Sequence, residues 1–204
     1  MISAQLNYRE SVPKGITAIQ YAKVDFPNNR NVKVDKSLNK LFRLVEGYKY
    51  QLRYTEIEIL EKQKSDLIEK INKLSSKERC NRANPRVIFL KPNLTEETKQ
   101  RLKIMNEKYQ EFNNKIKALE DDLFYETGDL KNKFKNILIN LGFEYKYELY
   151  NYNQFVNTEN FEYNGTDDVL IKNADDLFKE LDCNLKNQIS LIKGEKEQNK
   201  ELCL

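Results

Sequence analysis

Between Leu102 and Leu141, apolar residues recur at the spacing of a helix that packs lengthwise on a partner. Leu102, Met105, Tyr109, Phe112, Ile116, Leu119 and Leu123 are separated by alternating steps of three and four, and Leu130 and Ile137 extend the series. Those steps place the apolar side chains on one seam, the a and d positions of a coiled coil, with polar residues at nearly every other place. Thr95 is positioned to cap this helix, Glu96 and Glu97 suit the positive end of its dipole, and Gly142 suits a left-handed close. The pattern predicts one helix from about Thr95 to Leu141, with a kink at Gly128 where the heptad falters.

A second seam precedes it: Leu38, Leu41, Phe42, Val45, Tyr48, Leu52, Ile59, Leu60, Leu67, Ile71 and Leu74. Its N-cap is read as Ser37 or Asp35, and its end falls near Arg79. The phase slips between Leu52 and Leu60, which reads as a stutter. Each helix would be about 65 to 70 Å long at 1.5 Å per residue. Consecutive helices of matched length pack antiparallel. Residues 37–141 therefore read as an antiparallel coiled-coil hairpin, with a tip at residues 80–94 where Pro85 and Pro92 interrupt the helical ladder.

The flanks alternate with a period of two. Ile2, Ala4, Leu6 and Tyr8, then a run from Ile16 to Phe26, then Val32 and Val34, read as a β-meander over residues 1–36, with turns at Pro13-Lys14-Gly15 and Pro27-Asn28-Asn29-Arg30. Phe143, Tyr145, Tyr147 and Leu149 alternate with charged residues. Asn164-Gly165 is a hairpin signal, with Phe161 and Tyr163 before it and Val169, Leu170 and Ile171 read as the strand after it. A last helix follows from Ala174 to Lys193 on the stripe Leu177, Phe178, Leu181, Leu185, Ile189 and Ile192, ended by Gly194. Residues 142–193 would complete the head begun by residues 1–36, and residues 194–204 form a charged tail. The expected fold is α+β: a long antiparallel coiled-coil helical hairpin projecting from a small mixed head of antiparallel strands and a C-terminal helix.

Composition narrows the functional classes. Of 204 residues, 33% are charged and 39% hydrophobic, which suits an elongated helical body better than one thick core. The net charge of +3, from 35 basic and 32 acidic residues, makes no global case for nucleic acid. Histidine is absent and the three cysteines, Cys80, Cys183 and Cys203, are far apart, so no Cys/His zinc site is expected. The thiols read as reduced, in a cytoplasmic protein. No basic-then-apolar leader is read at the N-terminus, and no apolar run reaches the ~20 residues of a membrane span. No phosphate-binding glycine loop exists among the 6 glycines, and no nucleophile has a histidine to activate it. The expectation is a protein that is not an enzyme and carries no cofactor and no metal.

Three features invite a site reading. At the tip, Lys77, Arg79, Arg82, Arg86 and Lys91 surround the apolar run Val87-Ile88-Phe89-Leu90, with no acid from Arg79 to Asn93. Such a cluster suits carboxylates or phosphates, with Arg79, Arg82, Arg86, Val87, Phe89 and Lys91 as the candidate partner-binding residues. The opposing reading makes the apolar run a staple for the hairpin. The pairs Asp121-Asp122, Asp167-Asp168 and Asp175-Asp176 lack calcium-loop spacing and read as helix surface or helix start. Tyr145, Tyr147, Tyr150 and Tyr152 read first as strand formers and second as a stacking platform for bases.

The reading these features favour is a non-enzymatic interaction protein, an assembly component or an inhibitor of phage or mobile-element type, binding a protein partner through the coiled-coil arm or tip. The alternative is a nucleic-acid binder using the basic tip, and the remaining class is a metal-dependent enzyme acting on nucleic acid. The helices suit pairing within the chain or with a second copy, so a homo-oligomer belongs among the expected partners.

Overall fold

The computed structural model describes residues 1–9, 22–80, 95–124, 127–152 and 156–201; for residues 75–80, 124, 127–129 and 195–201 the backbone alone is described. The chain is α+β. Its elements run β1 (Ile2–Tyr8), β2 (Ala22–Asp25), α1 (Val32–Cys80), α2 (Glu96–Phe124), α3 (Thr127–Asn140), β3 (Glu144–Asn151), β4 (Val156–Tyr163) and α4 (Asp167–Glu201). The strands form one antiparallel sheet in the order β2-β1-β4-β3. The N-terminal strand β1 lies against β4, with Ile2 opposite Tyr163, Ala4 opposite Phe161 and Leu6 opposite Glu159.

One face of this sheet makes the core. Ile2, Ala4, Leu6, Ala22, Val24, Phe161 and Tyr163 point from the strands toward Val34, Leu38, Leu41, Phe42 and Val45 of α1, Phe134 and Leu138 of α3, and Leu170 and Ala174 of α4. The α1 residues recur at the helical period, so they form one buried stripe. Phe42 meets Phe134 edge-on at 5.3 Å and Phe26 at 5.9 Å, packing the sheet's β2 end against α1 and α3.

Helix α1 begins earlier than Ser37 or Asp35, and Val32 and Val34 are helical where a strand was expected. The cause is Asn31. Its side-chain oxygen accepts the amide of Lys33 at 3.0 Å, its carbonyl accepts the amide of Asp35 at 3.0 Å, and Asn29 donates to Asp35 at 2.6 Å. A capped first turn then carries Val34 into the core at full burial. The expected single helix from Thr95 to Leu141 is two, α2 and α3, and the division precedes Gly128, which lies inside α3. Thr95 does cap α2, accepting the Thr98 amide at 3.2 Å. Gly142, at φ 91°, closes α3: its amide reaches Ile139 and the next amide, of Phe143, reaches back to Leu138, both at 2.9 Å.

Asn164-Gly165 does not turn a hairpin. It joins β4 to α4, and Val169, Leu170 and Ile171 are helical. Tyr163 folds its ring over this turn, so a Cβ at Gly165 would collide with it. Asp167 and Asp168 occupy the first turn of α4, and Asp167 accepts a 2.7 Å hydrogen bond from Asn31. Helix α4 also runs through Gly194 to Glu201, past the end expected for it.

Beyond the head, α1 has two partners. Helix α2 returns antiparallel along it, with Asp122 against Arg53 at 2.9 Å and Tyr109 near Lys64 farther out. Helix α4 runs parallel to it, from the Asn31–Asp167 contact, through Lys40 over the Phe178 ring at 3.9 Å, to Tyr48 donating to Gln188 at 3.3 Å. No described helix is long and apolar enough to cross a membrane.

Candidate interaction surface

Arg79 lies in the last turn of α1. Arg82, Arg86, Val87, Phe89 and Lys91 lie outside the described residues. The acid pairs separate. Asp122 is engaged by Arg53 and Lys49, and the Arg53 hydrogen bond holds its carboxyl below the usual range. Asp176 pairs with Lys179 at 3.4 Å, and Asp167 belongs to the start of α4. Among the described residues no three Cys, Asp or Glu side chains gather as a metal site.

The tyrosine run is placed differently from the half-buried strand that its alternation suggests. Among the described residues β3 is the outermost strand of the sheet, paired on one side to β4, and all eight of its residues are exposed. Tyr145, Tyr147, Leu149 and Tyr150 keep between 40% and 55% of their surface, and Tyr152 just beyond keeps 79%. The edge strand lies at the margin of the helix layer, so that among the described residues its side chains keep much of their surface on both faces.

Beside that strand sits a charge cluster. Counting back by twos from Tyr163 and Phe161 puts Glu159 on the core face of β4, opposite Leu6. Glu159 is 2% exposed. It lies 2.7 Å from the ammonium of Lys135 and 3.1 Å from that of Lys131, one turn apart on α3. Burial alone would push its carboxyl up, but hydrogen bonds from Lys135 and Lys131, with their charges, outweigh this and hold the pKa below the usual value. The same lysines stack on rings: Lys131 lies 3.6 Å from the centre of Tyr8, Lys135 5.0 Å from that of Tyr145. Tyr8 donates across β4 to Glu148 of β3 at 2.7 Å. A carboxylate that would be costly inside an apolar face is therefore matched by two cations and ties β3 and β4 to α3. The sequence carried this in its period-two count, but the run Asn157-Thr158-Glu159-Asn160 looks like solvent-facing loop when read by polarity.

The surface combines aromatic, apolar and backbone groups. It offers phenol rings, an apolar Leu149 and a strand edge, and its carboxylates at Glu144, Glu148 and Glu159 are already engaged by Lys146, Tyr8 and the α3 lysines. Comparison with protein families, with characterised proteins and with solved structures finds no match for the chain.

Proposed function

We propose that this chain is a non-enzymatic interaction protein whose α1–α2 arm works as an antiparallel coiled-coil hairpin and presents the tip at residues 80–94 to a protein partner. The observation that carries the reading is the reach of α1. Its last residue in the head core is Val45, yet it continues to Cys80, roughly 50 Å farther at 1.5 Å per residue. Along that length, among the described residues, α1 buries Thr55, Leu60 and Leu67. A lever of that length stabilises the head little and earns its place by holding its end away from the body. Arg82 and Arg86 supply directional donors for carboxylates, and Phe89 supplies an aromatic anchor. The protein works in the cytoplasm, as an assembly component or as an inhibitor of a larger machine of the kind phages and mobile elements encode. The nucleic-acid reading rests on the same tip, because the stretch from Arg79 to Asn93 is basic and free of acids.

Replacing Arg82, Arg86 and Phe89 together with Ala in the full chain tests this. Binding to a partner recovered by pulldown from the native host falls at least tenfold, about 1.4 kcal/mol, while the unfolding free energy stays within about 1 kcal/mol of wild type. Unchanged affinity with reduced stability would make the tip a hairpin staple and remove the reading. Capture that disappears on nuclease treatment and weakens steeply with salt would replace it with the nucleic-acid one.

A further inference from the structure

We propose that β3 is a self-association edge: two copies of this chain join through antiparallel β3 strands about a two-fold axis that passes beside Leu149. This goes beyond the arm and is independent of it.

An open strand edge presents a row of backbone donors and acceptors that another strand can complete, so folded proteins guard such edges with lysines, bulges, prolines or short length. Among the described residues β3 is guarded over one half only. Between Tyr145 and Tyr147 the pairing with β4 shifts by a bulge, and Lys146 stands there, ion-paired to Glu144 and Glu162. From Tyr147 to Asn151 the register with β4 is regular, from Tyr147 opposite Asn160 to Asn151 opposite Val156. That half holds no lysine and no proline, and its Tyr147, Leu149 and Tyr150 are 54%, 55% and 40% exposed. Exposed apolar and aromatic side chains on an unguarded edge mark a pairing site.

The occupant follows from the order of these five residues. Glu148 and Tyr150 face the helix side, with Glu159 and Asn157; Tyr147, Leu149 and Asn151 face the other side, with Asn160, Thr158 and Val156 as their β4 partners. A two-fold at Leu149 preserves both faces. It sets Leu149 against its own copy, Tyr147 against Asn151, and Glu148 against Tyr150, whose hydroxyl is a donor for a carboxylate that already accepts the Tyr8 hydroxyl at 2.7 Å. A two-fold at Glu148 would oppose two carboxylates, and one at Tyr150 would set Leu149 against Asn151. The Leu149 register alone of the three places apolar on apolar with no like charges opposed. Each copy contributes the same patch, the requirement of a closed dimer, and the two sheets become one sheet of eight strands.

Sedimentation of the full chain across the micromolar range reads this directly. Wild type rises with concentration to twice the chain mass of 24.3 kDa. Leu149→Lys and Leu149→Glu, each of which opposes like charges across the axis, stay monomeric with unchanged far-UV circular dichroism. Mixed in equal amounts they return the dimer, because a residue that faces its own copy then meets the opposite charge. Leu149→Thr, which keeps a strand former at an exposed position, weakens dimerisation at least tenfold and covers the case in which a charged variant fails to fold. A wild type that stays monomeric overturns the proposal. So do charged variants that dimerise as wild type does, which would put the contact on the arm, a mixture that remains monomeric, or a threonine variant of unchanged affinity.

Discussion

Head and arm share a helix and bury it differently. In its head portion α1 hides Val34, Leu38, Leu41, Phe42 and Val45, none more than 6% exposed. In the arm, over a longer stretch, it hides Thr55, Leu60 and Leu67, with Leu67 at 9%. The apolar spacing is similar in both places. What differs is the number of neighbours. In the head the stripe meets a sheet, α3 and α4, so a side chain is enclosed from several directions. In the arm α1 meets α2, with α4 alongside over the inner part, and no sheet closes over them, so a side chain on the outer seam keeps a flank toward water. Leu102, Met105, Tyr109 and Phe112 of α2 are accordingly half-buried although they keep heptad spacing without a break. Spacing fixes which face of a helix is apolar, and the count of packing layers fixes how dry that face becomes.

The largest effect expected from this contrast belongs to Phe134, which is 2% exposed and packs edge-on against Phe42. Phe134→Ala leaves a cavity where α3, α1 and the sheet meet, and is expected to cost about 3 to 5 kcal/mol. Urea unfolding followed by circular dichroism and by tyrosine fluorescence measures it. A loss of under about 1 kcal/mol would mean that the head relaxes around the cavity as an arm would, and the contrast fails.

Glu159 comes next. Glu159→Gln removes the charge between Lys131 and Lys135 while keeping the shape, and both lysines are partly open to water, which screens them. The expected loss is about 2 kcal/mol near neutral pH. Its pH dependence has a fixed sign. The folded carboxyl titrates below the unfolded one, so the contribution is whole above the unfolded glutamate value of about 4.3 and is lost as pH falls through the depressed folded value. The gap between wild type and variant should therefore be constant from about pH 5 to 7 and close in stronger acid. A gap that widens on acidification would show that the carboxyl sits above its usual value and that burial, not the lysines, governs it.

The contrast also explains which parts of this molecule were legible in its sequence. The helical stripes, the cap at Thr95, the left-handed Gly142 and the return of the chain to pair β4 with β1 all follow from local rules. Other elements did not, the division of the expected Thr95–Leu141 helix into α2 and α3 among them. Val32 and Val34 alternate as a strand does, and the Asn31 cap that makes them helical is visible only once Asn29 is seen to reach Asp35. Asn164-Gly165 carries a hairpin signal, yet its glycine makes room for the Tyr163 ring and Asp167 and Asp168 start a helix. The last helix was read only as part of what completes the head, because Leu177 to Ile192 form the same stripe whether they meet a sheet or a helix; α1 is its partner along much of its length. For the candidate surface, the tyrosines were visible and their exposure was not. Alternation describes a strand with one fully covered face, and among the described residues this edge strand, at the margin of the helices, keeps both faces partly open.

The smallest effect is the finest test of the contrast, because it compares two neighbours on one seam. Ile116 and Leu119 are consecutive positions of the unbroken heptad, and the sequence treats them alike. In the arm Ile116 is 6% exposed, in the α2 seam that faces α1, whereas Leu119 is half-buried. Ile116→Ala is expected to cost about 1 to 2 kcal/mol, below the usual range for an enclosed core site because the open flank lets the two helices close on the gap. Leu119→Ala is expected to cost less than Ile116→Ala, about 1 kcal/mol, since part of the Leu119 surface already meets water. Hydrogen exchange locates these losses: both variants should speed exchange in α2 and the outer turns of α1 and leave β1 and β4 protected as in wild type. Equal costs at the two positions would mean that the arm is as dry at Leu119 as at Ile116. Loss of protection in the sheet would mean that head and arm unfold as one unit, and the difference in burial along α1 would then have no counterpart in its stability.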